Sequence, residues 1–206
     1  MTSSTLREMI EKKPFVTCPG VFDLVSAKLA DLTNADALYM TGYGVVASYL
    51  GLPDAGLATY SQMLDRVQAI AQAVRKPLIA DGDTGYGGLL NVHHTVRGYE
   101  RAGAAAIQLE DQQSPKKCGH TPNRHVIPAR EMINKLRVAN DARSSRDFLI
   151  IARTDARTAL GLDEAIRRGE AYARAGADII FIESPESEAE VRKIGSSLGV
   201  PLVSDQ

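Results

Sequence analysis

Four groups of residues in this sequence are of types that can do chemistry together. They are Asp81-Gly82-Asp83, Glu110-Asp111, Lys116-Lys117-Cys118-Gly119-His120 and Arg153-Thr154-Asp155. Asp81, Asp83 and Glu110 make a hard, oxygen-only donor set. That suits Mg²⁺ (or Mn²⁺), which takes one or two carboxylates and leaves positions for water and substrate oxygens. Asp-x-Asp alone is equally a turn whose side chains bond their own backbone. The third group surrounds one thiol with basic residues, and neighbouring Lys or His⁺ charges lower a thiol's pKa toward reactive thiolate. A solvated basic loop carrying an incidental cysteine has the same composition. Arg153 offers a planar fork that fits a carboxylate, or an ion-pair partner for Glu183 or Asp155. Thr41-Gly42-Tyr43-Gly44 reads as a nest of backbone N–H groups for an anion, or as a plain turn. His93-His94, with no acidic or thiol neighbour, reads as surface or packing.

These groups sit on a repeated unit. Tyr99-Glu-Arg-Ala-Gly-Ala-Ala-Ala-Ile-Gln-Leu-Glu110 returns as Tyr172-Ala-Arg-Ala-Gly-Ala-Asp-Ile-Ile-Phe-Ile-Glu183, 73 residues on. Each copy reads as a helix end, a cap and a short apolar strand finishing on a polar residue. Strands are predicted at 15–18, 37–41, 78–82, 106–110, 149–153, 179–183 and 201–204. Helices are predicted at 22–32, 60–75, 91–102, 128–143, 162–175 and 187–197. Apolar strands alternating with amphipathic helices give a parallel sheet covered by helices. Polar residues recur at consecutive strand ends; a (β/α)₈ barrel brings all such ends to one face, a doubly wound sheet gathers them only near a switch point, and six consecutive polar tips favour the barrel. Seven strands are counted, so the expectation is a single barrel domain over 1–206 whose eighth, C-terminal unit is missing. Its edges would then invite association.

Composition excludes several alternatives. A formal net charge of −1 provides no basic field for nucleic acid or an anionic membrane. No apolar run has membrane-spanning length, and the N-terminus has no secretory pattern. Two cysteines a hundred residues apart, Cys18 and Cys118, are no disulfide framework, and a reducing cytoplasm is expected.

Taken in order, Asp81-Gly82-Asp83-Thr84-Gly85-Tyr86-Gly87, Glu110-Asp111-Gln112, Lys116-Lys117-Cys118-Gly119-His120 and Ile151-Ala152-Arg153-Thr154-Asp155-Ala156 resemble the isocitrate lyase/phosphoenolpyruvate mutase superfamily. The likeness runs from about Phe15 to the chain end. It includes Gly51-Leu52-Pro53-Asp54, which matches the family's gating loop. The cysteine segment marks the lyase branch, and the compact spacing resembles its 2-methylisocitrate lyase, 2,3-dimethylmalate lyase and oxaloacetate acetylhydrolase members.

The resemblance implies that Asp83 contacts Mg²⁺ directly, with Asp81 and Glu110 holding it through water. Thr41, Gly42 and Tyr43 would bind a substrate carboxylate, with Gly119 beside them. Arg153 would bridge the reacting carboxylate and hydroxyl. Cys118, supported by His120, would give a proton to the carbanionic carbon, Tyr39 and Asp54 would flank the hydroxyl, and Glu183 would complete the pocket. Asp205 stands where the family usually has a carboxylate-binding Asn. The implied reaction is retro-aldol cleavage of a 2-hydroxy di- or tricarboxylate into a 2-oxo acid and a carboxylate. Oxaloacetate hydrolysis or decarboxylation, or a non-catalytic ligand-binding barrel, are the other readings. Full-length relatives of this type are expected to form homotetramers that exchange C-terminal helices.

Overall fold

The computed structural model describes residues 5–119 and 121–204; His120 and Asp205 lie outside them. Seven strands form one sheet in sequence order, β1 (Gly20–Val21), β2 (Leu38–Met40), β3 (Leu78–Asp81), β4 (Ala106–Glu110), β5 (Leu149–Thr154), β6 (Ile179–Ile182) and β7 (Leu202–Val203). Every pairing is parallel. Successive strands are joined by helices: α2 (Leu24–Asp31), α3 (Gly42–Val45, continuing as a π-turn over Val46–Leu50), α4 (Tyr60–Ala73), α5 (Leu89–Ala102), α6 (Ala129–Ala142), α7 (Ala156–Leu160), α8 (Leu162–Arg174) and α9 (Glu188–Ser197). A further helix, α1 (Leu6–Lys12), precedes the sheet. No helix among the described residues is long and apolar enough to cross a membrane.

The period-2 alternation of the strands sorts their side chains into two clusters. Leu38, Met40, Leu78, Ala80, Ile107, Leu109, Ile150, Ala152 and Ile180 face outward and pack against the helices. Ile79, Ala106, Leu149, Ile151, Ile179 and Phe181 face inward and pack with Leu6 of α1, beneath the sheet. Arg7 fixes that helix by donating to the Arg146 carbonyl (2.6 Å) and pairing with Asp178 (2.7 Å). The next inward positions toward the strand C-termini are Asp81, Gln108, Glu110, Arg153 and Glu183. The inner face therefore changes from apolar to charged along the strands. The sheet curls about this face, so Gly20 on β1 and Leu202 on β7 line the same cavity.

Strands β2 to β7 fall within a residue or two of expectation, and β4 matches it. The first strand does not. Its expected span is 15–18, yet Phe15 is exposed and the reciprocal ladder is Gly20–Val21. The chain is already extended from Thr17, whose carbonyl accepts from Ala37, as that of Pro19 does from Tyr39. Pro19 has no N–H to return, so a two-way ladder starts only after it. Helices α1, α3 and α7 were unforeseen. Each is too short to show a helical period in sequence, and tertiary contacts hold it.

Candidate active site

Each strand end delivers its residue through register. Asp81 pairs with Gln108, Glu110 with Arg153, and Arg153 with Phe181 across β3 to β6. These tips and the loops above them enclose a cavity of about 1380 Å³. Its walls include Tyr39, Thr41, Gly42, Tyr43, Asp54, Asp81, Glu110, Cys118, Gly119, Arg153 and Glu183. Of the described residues to which the resemblance assigns a role, only Asp83 is set back from the wall.

Asp83 is screened by Lys116. The Lys116 Nζ lies 2.6 Å from both Asp54 Oδ1 and Asp83 Oδ1, with all three side chains nearly inaccessible. One ammonium thus compensates both carboxylates. Burial, reinforced by the Asp81 carboxylate, pushes Asp83 up to about 6 although Lys116 pulls it down. Burial opposes the charge on Lys116, but Asp83, Asp81 and Glu110 overcome it and raise its pKa. Lys116 is spent on carboxylates and Lys117 donates to the Asn123 carbonyl (3.1 Å), so both ammonium groups have partners other than the thiol.

Asp81 is an organiser. Its Oδ2 accepts from the Gly42 N–H (3.1 Å), and its Oδ1 from the Asp83 N–H (3.0 Å) and Gln108 Nε2 (3.4 Å). A Cβ on residue 42 would come within 2.5 Å of that carboxylate, so glycine is required there. The Thr41–Tyr43 nest is therefore only partly available: Gly42 has given its N–H to Asp81, and the Thr41 hydroxyl caps α3 by accepting from Gly44 (3.0 Å).

Arg153 stands among three carboxylates. It donates to Asp155 through Nε (3.0 Å) and Nη2 (2.9 Å), and lies 3.3 Å from Glu183 and 3.7 Å from Glu110. Burial works against its charge, but Glu110, Asp155 and Glu183 hold it firmly cationic. Burial drives Glu110 well above the carboxylate range, partly offset by Arg153. The ion-pair role and the pocket-lining role thus coincide. Tyr39, fully protonated because burial raises it, donates to Gln108 Oε1 (2.5 Å).

The loop bearing Cys118 is closed at its base by an antiparallel bridge between Gln112 and Val126. The Gln112 side chain brackets the Lys117 backbone (2.9 and 3.0 Å), and the Cys118 N–H donates to the Asp54 carbonyl (3.0 Å). Gly119 presses on the strand tips: a Cβ there would overlap Arg153 Nη2 and sit 2.8 Å from Glu183 Oε1. His94 is exposed and packs its ring on Tyr60, as a surface histidine should. Sequence reasoning missed Gln108 and Phe181. Both are legible as inward positions two residues from Glu110 and Glu183.

For a divalent cation the donor chemistry fits. Glu110 Oε1 is a buried carboxylate oxygen with no hydrogen-bond donor, a costly state that a cation relieves, and Asp83 Oδ1 beside it is met by the Lys116 ammonium. Among the described residues no three His, Cys, Asp or Glu side chains already enclose a common point. Lys116 supplies positive charge in that cluster.

Comparison with known proteins agrees with this geometry. The phosphoenolpyruvate phosphomutase family model matches residues 6–204. The chain is 52% identical over 197 residues to 2,3-dimethylmalate lyase of Eubacterium barkeri, covering 96% of this chain and 68% of that one. It is 46% identical over 200 residues to 2-methylisocitrate lyase of Aeropyrum pernix, covering 97% of this chain and 64% of that one. It thus spans about two thirds of the length of these relatives. Among solved structures, oxaloacetate acetylhydrolase in complex with 3,3-difluorooxalacetate superposes with a TM-score of 0.93 at 38% identity, over 97% of this chain and 69% of that one. Phosphonopyruvate hydrolase in complex with oxalate and Mg²⁺ superposes with a TM-score of 0.87 at 38% identity, over 96% and 69%. With a family model matched along nearly its whole length and the charged strand tips assembled in one cavity, this chain belongs to the isocitrate lyase/phosphoenolpyruvate mutase superfamily.

Proposed function

We propose that this protein is a divalent-cation-dependent carbon–carbon lyase that cleaves a 2-hydroxy di- or tricarboxylate of the dimethylmalate or methylisocitrate type. The observation that carries the proposal is the meeting of Arg153, Glu183 and the Cys118-Gly119 turn over the acidic strand tips, in one cavity of substrate size. The names of the two curated relatives favour the same reaction class.

In the cleavage, the substrate's C2 hydroxyl loses its proton and the C2–C3 bond breaks. C2 becomes the carbonyl of a 2-oxo acid, and C3 keeps the bonding pair. Arg153, already cationic and fixed by Asp155, holds the carboxylate next to the breaking bond and offsets developing negative charge. Cys118 gives its thiol proton to C3, so the two products together have the atoms of the substrate and the cleavage is redox-neutral overall. Asp54 takes the hydroxyl proton, and Tyr39 stays protonated as a donor. Asp81, Asp83 and Glu110 would hold Mg²⁺ or Mn²⁺, which when bound supplies Lewis-acid stabilisation of negative oxygen. The Mg²⁺ and oxalate of the phosphonopyruvate hydrolase structure support that assignment.

The test is product analysis. With Mg²⁺ present, dimethylmalate or methylisocitrate should yield pyruvate. Absence of any 2-oxo acid from these substrates in the full-length enzyme contradicts the lyase reading. The oxaloacetate acetylhydrolase likeness supports a second reading, in which oxaloacetate gives oxalate and acetate; the same assay separates them. Cytoplasmic location and a homotetramer in the full-length form complete the proposal, for fractionation and sedimentation to check.

A further inference from the structure

Arg124, on the far side of the Cys118 turn, belongs to none of the groups above. Its residue is 5% exposed and its guanidinium reaches across to three elements. Nη1 donates to Asp155 Oδ1 (2.7 Å), and Nη2 donates to Thr158 Oγ1 on α7 (2.6 Å) and Ser184 Oγ beyond β6 (3.1 Å). Asp155 Oδ1 is the same oxygen that accepts from Arg153 Nη2. Ser184 Oγ in turn donates to Glu183 Oε1 (3.1 Å) and is 3.3 Å from the Gly119 carbonyl. Arg124 therefore contacts both residues that position the Arg153–Glu183 pair, and it arrives from the loop that carries Cys118.

Asp155 can take this double load because it is itself fixed. Its side chain is fully buried, and its N–H donates to Asp111 Oδ1 (3.0 Å). Asp111 is anchored by Thr154, Arg168 and Tyr172 at 2.7 to 2.8 Å. A buried carboxylate oxygen that accepts from two guanidiniums ties them together by charge-assisted hydrogen bonds to one fixed point. At the tips of β5 and β6 Gly119 offers only its backbone, whose carbonyl is 3.3 Å from Ser184 Oγ. Toward its start the loop is tied by the Lys116 ion pairs and by the Cys118 N–H on Asp54. Arg124 ties it at the other.

We propose that Arg124 is a positioning residue: it latches the Cys118 loop to the tips of β5 and β6 through Asp155 and Ser184, and so sets the thiol against the Arg153–Glu183 pair. Its catalytic consequence rests on the lyase reading; the latch itself does not. The experiment compares Arg124→Gln and Arg124→Lys with the parent. The rate of Cys118 alkylation by iodoacetamide is followed by peptide mass spectrometry, with Cys18 as internal reference and circular dichroism as a check on folding. In Arg124→Gln, Cys118 labelling should rise about fivefold or more relative to Cys18. Turnover should fall about tenfold or more through kcat, with KM within about twofold, because substrate contacts stay while the proton donor is misplaced. Lysine keeps the charge but not the fork, so Arg124→Lys should lie between. Unchanged Cys118 labelling in a folded Arg124→Gln overturns the latch whatever the activity. If that variant fails to fold, unchanged labelling and kcat in Arg124→Lys overturn it instead. Faster labelling in an enzyme that turns over no hydroxy acid leaves the latch standing and removes the lyase reading.

Discussion

The Lys116 ammonium lies 2.6 Å from the Asp83 carboxylate, and the same nitrogen is 2.6 Å from Asp54 on the loop after β2. One cation thus joins the acidic strand tip, the Cys118 loop and the segment that resembles a gating loop. A divalent cation bound by these carboxylates must share them with Lys116.

The metal prediction follows from that sharing. Asp83→Ala and Asp81→Ala should each abolish Mn²⁺ binding, the first by removing a buried carboxylate of the cluster, the second by releasing Gly42, Asp83 and Gln108. Titration calorimetry or Mn²⁺ electron paramagnetic resonance reads this without turnover. Tight binding in both variants would show that the cation sits elsewhere.

A second prediction concerns pH. Asp83 has a folded pKa of about 6 against an ordinary 3.8. Between those values the fold holds a proton that the unfolded chain has lost. Stability therefore falls as pH rises through this window. Thermal melting of the metal-free protein from pH 4 to 7 should show the decline. Asp83→Asn should flatten it, and an unaltered slope in that variant assigns the effect to other groups.

Cys118→Ser should lower kcat about a hundredfold or more while substrate still binds, since general-acid contributions are of order 10²–10⁴ and a hydroxyl is a far weaker acid than a thiol. Stopped-flow turnover beside equilibrium binding separates the two effects. Near-normal kcat would remove Cys118 as the proton donor.

Gly119→Ala should lower activity about tenfold or more, because the added methyl overlaps Arg153 Nη2 and crowds Glu183. The loss should appear in both KM and kcat, since the displaced Arg153 both binds and stabilises charge. Steady-state kinetics on the folded variant decides it, and parent-like constants would mean that the loop yields freely.

The sequence by itself determined β2 to β7 and the long helices, because period-2 and period-3.6 patterns are local and the βα unit is repeated, but it misplaced β1. It also placed Asp81, Glu110, Arg153 and Glu183 at strand ends, and a parallel sheet curled toward a barrel brings such ends to one face. Tertiary structure alone decided which charges meet. Whether Lys116 turns to Cys118 or to Asp54 and Asp83 depends on how the loop folds back over the sheet, and nothing in the local pattern encodes that. The same holds for Arg124. In sequence it is one basic residue in a polar loop, and only the shared Asp155 carboxylate, buried and fixed from behind by Asp111, makes it a partner of Arg153. Strand register and burial act over distances that the chain order does not show, and they convert separate charged residues into one site.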